Sequence, residues 1–157
     1  IQGTGQQVIP GNGSGSGDNG SNNNGNNPDD NDDNNDDTPV SNNLKITIGP
    51  VSFNATLENN ETAKAFKRLL PMTVDMSELH GNEKYYYLSN GLPTASSNPG
   101  TIRTGDLMLY GSTCVVLFYE TFSTSYTYTR LGRITNPSGL ASALGSGGVN
   151  VTFEITD

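Results

Sequence analysis

The sequence predicts a mainly β domain: an antiparallel barrel closed on itself, covered by two short helices and preceded by a long polar leader. Three observations carry that reading. From residue 44 onward, short runs alternate apolar and polar residues, the two-residue period of a strand with one buried face. One run, Cys114-Val115-Val116-Leu117-Phe118-Tyr119, is apolar almost throughout, so both of its faces should be covered. The third observation is an abrupt change of composition. Residues 1–43 hold seven Asp, no Lys or Arg, and only Ile1, Val8, Ile9 and Val40 as aliphatics, whereas residues 44–157 hold nine acids and eight bases.

The leader, 1–43, is dominated by Gly, Asn, Ser and Asp. It has little to bury against a backbone ordering cost of roughly 1–2 kcal/mol per residue. We expect a flexible acidic linker, stretched by self-repulsion from Asp29 to Asp37. The Asp run lacks the spacing, central Gly and terminal Glu of a calcium loop.

Each element of the domain, 44–157, then has a local cause. Leu44, Ile46 and Ile48 alternate up to Gly49-Pro50, and Val51, Phe53, Ala55 and Leu57 alternate after it; this reads as a hairpin with Pro50 in the turn. A helix follows, with Asn60 as its cap, Glu61 in its first turn and Pro71 as its stop. Ala63, Phe66 and Leu70 make its buried stripe, and Lys64, Lys67 and Arg68 its solvated side. Met72, Val74 and Met76 mark a third strand. Tyr85–Leu88 form another after the turn His80-Gly81-Asn82, and alternation lets at most two of Tyr85, Tyr86 and Tyr87 share a face. Residues 89–100 are rich in breakers and read as a loop. Strands follow at 106–110, 114–119 and 127–134. A short helix spans 137–144 between Asn136 as cap and Gly145 as stop, and Val149, Val151, Phe153 and Ile155 alternate to the end. Closing these strands into a barrel removes exposed edges.

Several function classes are excluded. A net charge of -8 does not suit a basic nucleic-acid binder. No apolar run approaches the roughly 18 residues of a membrane-spanning helix. A single cysteine, Cys114, makes no disulfide scaffold.

Several segments recur in the order of a known family: Leu57-Glu58-Asn59-Asn60-Glu61-Thr62-Ala63; Leu79 to Tyr86; Gly105 to Gly111; Leu117-Phe118-Tyr119; and the Ser/Tyr-rich stretch from Phe122 running into Arg130-Leu131-Gly132-Arg133-Ile134. In these the chain resembles the bacterial cyclophilin-like fold family, many of whose members are secreted proteins or lipoproteins. The resemblance implies an eight-stranded barrel with two helices and an extracytoplasmic setting. Any lipid anchor would lie outside this chain. True cyclophilins isomerise X-Pro bonds with an Arg, a Gln and a Phe-lined pocket. Here Gln occurs only at Gln2, Gln6 and Gln7, His80 is followed by Gly81 instead of Arg, and Trp is absent.

The densest candidate site is the stretch 119–130. Tyr119, Phe122, Tyr126 and Tyr128 supply rigid aromatic faces, Ser123 and Ser125 hydroxyls, and Arg130 a cation able to grip a carboxylate. The expectation is a binding module for an unidentified peptide or small molecule, with no catalytic residues, metal or cofactor. The alternative is a weak prolyl isomerase using Arg103, Arg130 or Arg133. Cys114 reads as an inert buried thiol, and Asp106 as a turn residue bonding backbone N–H groups.

Overall fold

The structure, a computed structural model, describes residues 38–157. The linker reading of the leader and its Asp29–Asp37 run therefore falls, up to residue 37, outside the described residues. Strands β1 (Asn43–Ile48) and β2 (Val51–Leu57) pair with Ile48 opposite Val51, leaving Gly49 and Pro50 as the turn. Gly49 has φ +60°, the left-handed conformation that such a two-residue hairpin demands and glycine adopts without a Cβ clash.

Helix α1 (Glu61–Lys67) is capped as the sequence predicts, with Asn60 Oδ1 accepting from the Ala63 N–H at 2.7 Å. It is shorter than the run to Pro71. Its exit tightens into three-residue bonds, from Arg68 N–H to Ala65 O, Leu69 N–H to Phe66 O and Leu70 N–H to Lys67 O. One side chain departs from expectation. Lys67 is buried, and its ammonium donates to Pro39 O, Ser41 O and Asn42 Oδ1 at 3.0, 3.1 and 2.7 Å. The segment entering β1 supplies these oxygens, and helical periodicity alone could not locate it.

Strands β3 (Met72–Leu79) and β4 (Glu83–Tyr87) form the next hairpin, with His80 at φ +50° and Gly81 at φ +72° in its turn. The loop after β4 carries a short strand, β5 (Thr101–Ile102). β6 (Asp106–Tyr110) and β7 (Cys114–Phe118) pair closely, and β8 (Phe122–Ser123) returns to pair with β5 outside the barrel. Then come β9 (Thr129–Ile134), α2 (Leu140–Leu144) and β10 (Val149–Thr156). β9 starts later than alternation suggests because Tyr128 leaves the barrel to bridge Ser97. α2 also starts later. Asn136 Oδ1 accepts from Ser138 N–H, serving the turn before the helix, and Gly139 at φ +83° precedes its first residue.

The barrel closes antiparallel in the order β9–β2–β1–β10–β3–β4–β7–β6 and back to β9. Its interior packs Leu44, Ile46, Leu107, Leu117 and Phe153 with Phe66 of α1. A second core lies on the outside of the β4–β7–β6 wall. There Met108, Cys114, Val116 and Phe118 are covered by Ile102 and Tyr128, which belong to the returning loops. This two-sided cover is what the continuous apolar run 114–118 demanded. Fully burying such side chains contributes about 1.5–3 kcal/mol each.

Candidate functional site

The outer wall is organised in rows set by strand register. Tyr87 on β4, Cys114 on β7 and Tyr110 on β6 lie directly across from one another. The next row is Tyr85, Val116, Met108 and, on β9, Arg130. Tyr85 and Tyr87 meet edge to face with centroids 5.7 Å apart, and Tyr110 meets Tyr126 in the same way at 6.4 Å. Tyr110 also contacts Tyr128 at 5.5 Å. Tyr87 is 40% exposed, while Tyr85, Tyr110 and Tyr126 are half-buried. The result is a tyrosine face with Cys114 sealed in its floor. Burial, and then the neighbouring Glu83, pushes the thiol up to about 12, so it is a packed neutral group and not a nucleophile at ordinary pH. Burial beside Cys114, Tyr85 and Tyr110 pushes the Tyr87 phenol up to about 12. These hydroxyls offer neutral hydrogen-bonding groups beside aromatic surface.

The structure divides the stretch 119–130. Phe122 and Tyr126 join the outer layer half-buried, and Tyr128 is fully buried within it against Phe118 and Tyr110. Tyr119 goes to the inner core, where its hydroxyl donates to Glu78 Oε1 at 2.8 Å and its ring lies 5.3 Å from Lys84 Nζ. Ser123 and Ser125 are exposed beside the layer. Arg130 lines a separate groove along β2 and β9 with Thr56, Glu58, Asn59 and Arg133. Tyr85, Tyr87 and Tyr110 complete the face and fall outside that stretch. The alternation of residues 85 and 87 was visible in the sequence, but their neighbour Tyr110 needed the register.

Glu83 is the other unanticipated group. It is fully buried on the outer side of β4, and neither carboxyl oxygen has a hydrogen-bond partner among the described residues. Burial, reinforced by the charge of Glu78, pushes it up to about 8, so it holds its proton at neutral pH. Asp106 behaves as a turn acceptor, taking the Arg103 N–H at 2.9 Å, and also pairs with Arg133 Nε at 3.1 Å. Among the described residues, no group of three or more His, Cys, Asp or Glu is placed to hold a metal ion.

Residues 46–154 match the cyclophilin-like family. A solution structure of a hypothetical protein from Archaeoglobus fulgidus shares the fold, with a TM-score of 0.52 and 20% identity over 74% of this chain and 96% of that one. No curated protein is similar enough to match.

Proposed function

The chain belongs to the cyclophilin-like family, and from that membership we propose a non-catalytic binding module that works outside the cytoplasm of a bacterium and takes a small ligand or an extended peptide on its tyrosine face. The observation that carries this reading is the juxtaposition of Tyr85 and Tyr87 with Tyr110 and Tyr126 across three strands. Rigid aromatic rings with neutral hydroxyls suit the apolar faces and polar edges of a peptide or a sugar ring. Tyr128 supports this layer from below through its contact with Tyr110, and Phe122 packs beside it against Phe118. Ser123 and Ser125 add hydroxyls beside it, Tyr119 anchors the chain at the layer's start, and Arg130 flanks it. A binding role without chemistry is supported by the state of the nearby reactive groups: a sealed neutral thiol at Cys114 and a carboxyl at Glu83 that keeps its proton. Support for the extracytoplasmic setting is compositional, the acidic Asn/Gly-rich leader.

Calorimetric titration of a peptide and oligosaccharide panel tests the face. Tyr87→Ala and Tyr126→Ala should each weaken a binder at least tenfold, and unchanged affinity in both removes the face from consideration. A prolyl-isomerisation assay should show no acceleration over background; acceleration would overturn the non-catalytic reading. Fractionation of the native cells should place the protein outside the cytoplasm.

A further inference from the structure

Arg130 and Arg133 are three residues apart, so in a regular strand they would face opposite ways. They do not. Pairing between β9 and β6 runs Thr129–Leu109 and Arg130–Met108, then Gly132–Leu107 and Arg133–Asp106. Leu131 is the extra residue of a bulge, and an extra residue resets the alternation. Arg130 thus lies beside Met108, which faces the outer core, and Arg133 beside Asp106, two residues earlier on the same face of β6. Both arginines reach one open groove of about 680 Å³, lined also by Thr56, Glu58, Asn59 and Thr135.

The donors in this groove are underused. Arg133 spends only Nε on Asp106, at 3.1 Å, and its terminal nitrogens make no hydrogen bond to any described residue. Among the described residues, the Arg130 guanidinium has neither an ion-pair nor a hydrogen-bond partner; its residue is held instead through the backbone, with Asn60 Nδ2 donating to Arg130 O at 3.0 Å. Glu58 lines the groove but stands beyond ion-pair distance of both guanidiniums. Two forked donors on one face match the planar or tetrahedral oxygens of a carboxylate or phosphate. We propose that this β2–β9 groove is an oxyanion-binding site, in which Arg130 and Arg133 together grip a carboxylate or phosphate group of a ligand. The groove runs along β2 and β9, next to the wall that carries the tyrosine face; Arg130 borders both, but no tyrosine lines the groove. Glu58 works against a bare anion there and tunes the affinity.

Titration with inorganic phosphate and with succinate at low ionic strength, followed by backbone amide NMR, tests this. The expected result is saturable shifts confined to residues 56–59 and 130–135 for at least one of the two anions, and the anion that saturates identifies the ligand's chemistry. Arg130→Ala should weaken binding at least fivefold, Arg130→Lys should do so less, and Glu58→Gln should tighten it. Tyr126→Ala should leave it unchanged, which separates failure here from failure of the aromatic face. Non-saturating shifts with both anions, shifts centred on Lys64 and Lys67, or equal binding by Arg130→Ala would overturn the proposal.

Discussion

Glu83 and Lys84 are neighbours on β4, an acid and a base that are both fully buried, and they do not pair with each other. Strand alternation sends them to opposite faces of the wall. Lys84 turns inward to Glu78 and to two carbonyls near the end of α2, whereas Glu83 turns into the outer core and finds no hydrogen-bond partner among the described residues. Adjacent charges in a sequence are therefore poor evidence for a salt bridge when a strand carries them.

The Glu83 carboxyl predicts a specific pH dependence. Its folded value, raised by burial and then by Glu78 to about 8, lies above its unfolded one. Below the unfolded value both states are protonated and nothing is lost. As pH climbs from about 4.5 to about 8, the unfolded chain ionises first and stability falls, by roughly 3 kcal/mol at pH 7 at about 1.4 kcal/mol per unit. Glu83→Gln should remove most of this fall. Urea unfolding at pH 4 and pH 7 measures it: the variant should match the parent at pH 4 and exceed it at pH 7. The same pH slope in both proteins would show that Glu83 is already ionised or solvated when folded.

Lys84, the inward-facing neighbour, is by contrast well partnered. Its ammonium bonds Glu78 Oε1 at 2.8 Å, Gly145 O at 2.8 Å and Gly147 O at 2.7 Å. Lys84→Met would leave all three oxygens short of a donor, with Glu78 held only by the Tyr119 hydroxyl and the Gly81 N–H. Breaking one partner of a buried pair typically costs about 3–5 kcal/mol, and a fall of that size in unfolding free energy is expected. Adding Glu78→Gln should recover part of it, because the stranded charge disappears. Burial alone would raise Glu78, but the bonds from Lys84, Tyr119 and Gly81 outweigh it and hold Glu78 below the usual range. Its contribution should accordingly be lost as pH falls through the acid range, and Lys84→Met should flatten that loss.

Much of this fold was legible because it rests on local rules. The Gly49-Pro50 hairpin, the Asn60 cap, the two-sided cover of 114–118 and the turn role of Asp106 each follow from a few adjacent residues. The barrel followed from counting strands. Contacts made by distant backbone were not legible. Lys67 looked solvated because the oxygens that bind it come from residues 39–42, and α2 began late because Asn136 served a turn first. The candidate site was legible only in part for the same reason. A linear window from Tyr119 to Arg130 takes in side chains that the register then sends to the inner core, the outer core and a separate groove. It omits Tyr110, which joins the tyrosine face only through its place across from Cys114.

Gly132 is where the bulge meets β2. A methyl group there would sit 2.6 Å from Thr56 O and 3.1 Å from Leu57 Cα, and backbone cannot swing aside as a side chain would. Gly132→Ala should therefore push β9 from β2, at a cost of about 1–3 kcal/mol by the usual range for overpacking. Thermal unfolding measures the cost. Hydrogen exchange should localise it to Leu57 and Ile134, and a variant as stable as the parent would show that the seam can open freely.

Asn60 ties the helix to the same seam by two bonds of different kinds. Its Oδ1 caps α1 through the Ala63 N–H, while its Nδ2 holds Arg130 O beside the bulge. Loss of a cap costs about 1 kcal/mol, and loss of a further hydrogen bond adds about 1 kcal/mol. Asn60→Asp keeps an acceptor for the cap and places a carboxylate oxygen where the Arg130 carbonyl needs a donor. Asn60→Ala should thus lose about 2 kcal/mol in chemical unfolding. Asn60→Asp should keep helix content by circular dichroism and yet lose exchange protection at Arg130 and its neighbours. If both variants shed helix and seam protection together, the two bonds are not separable and α1 and β9 fold as one unit.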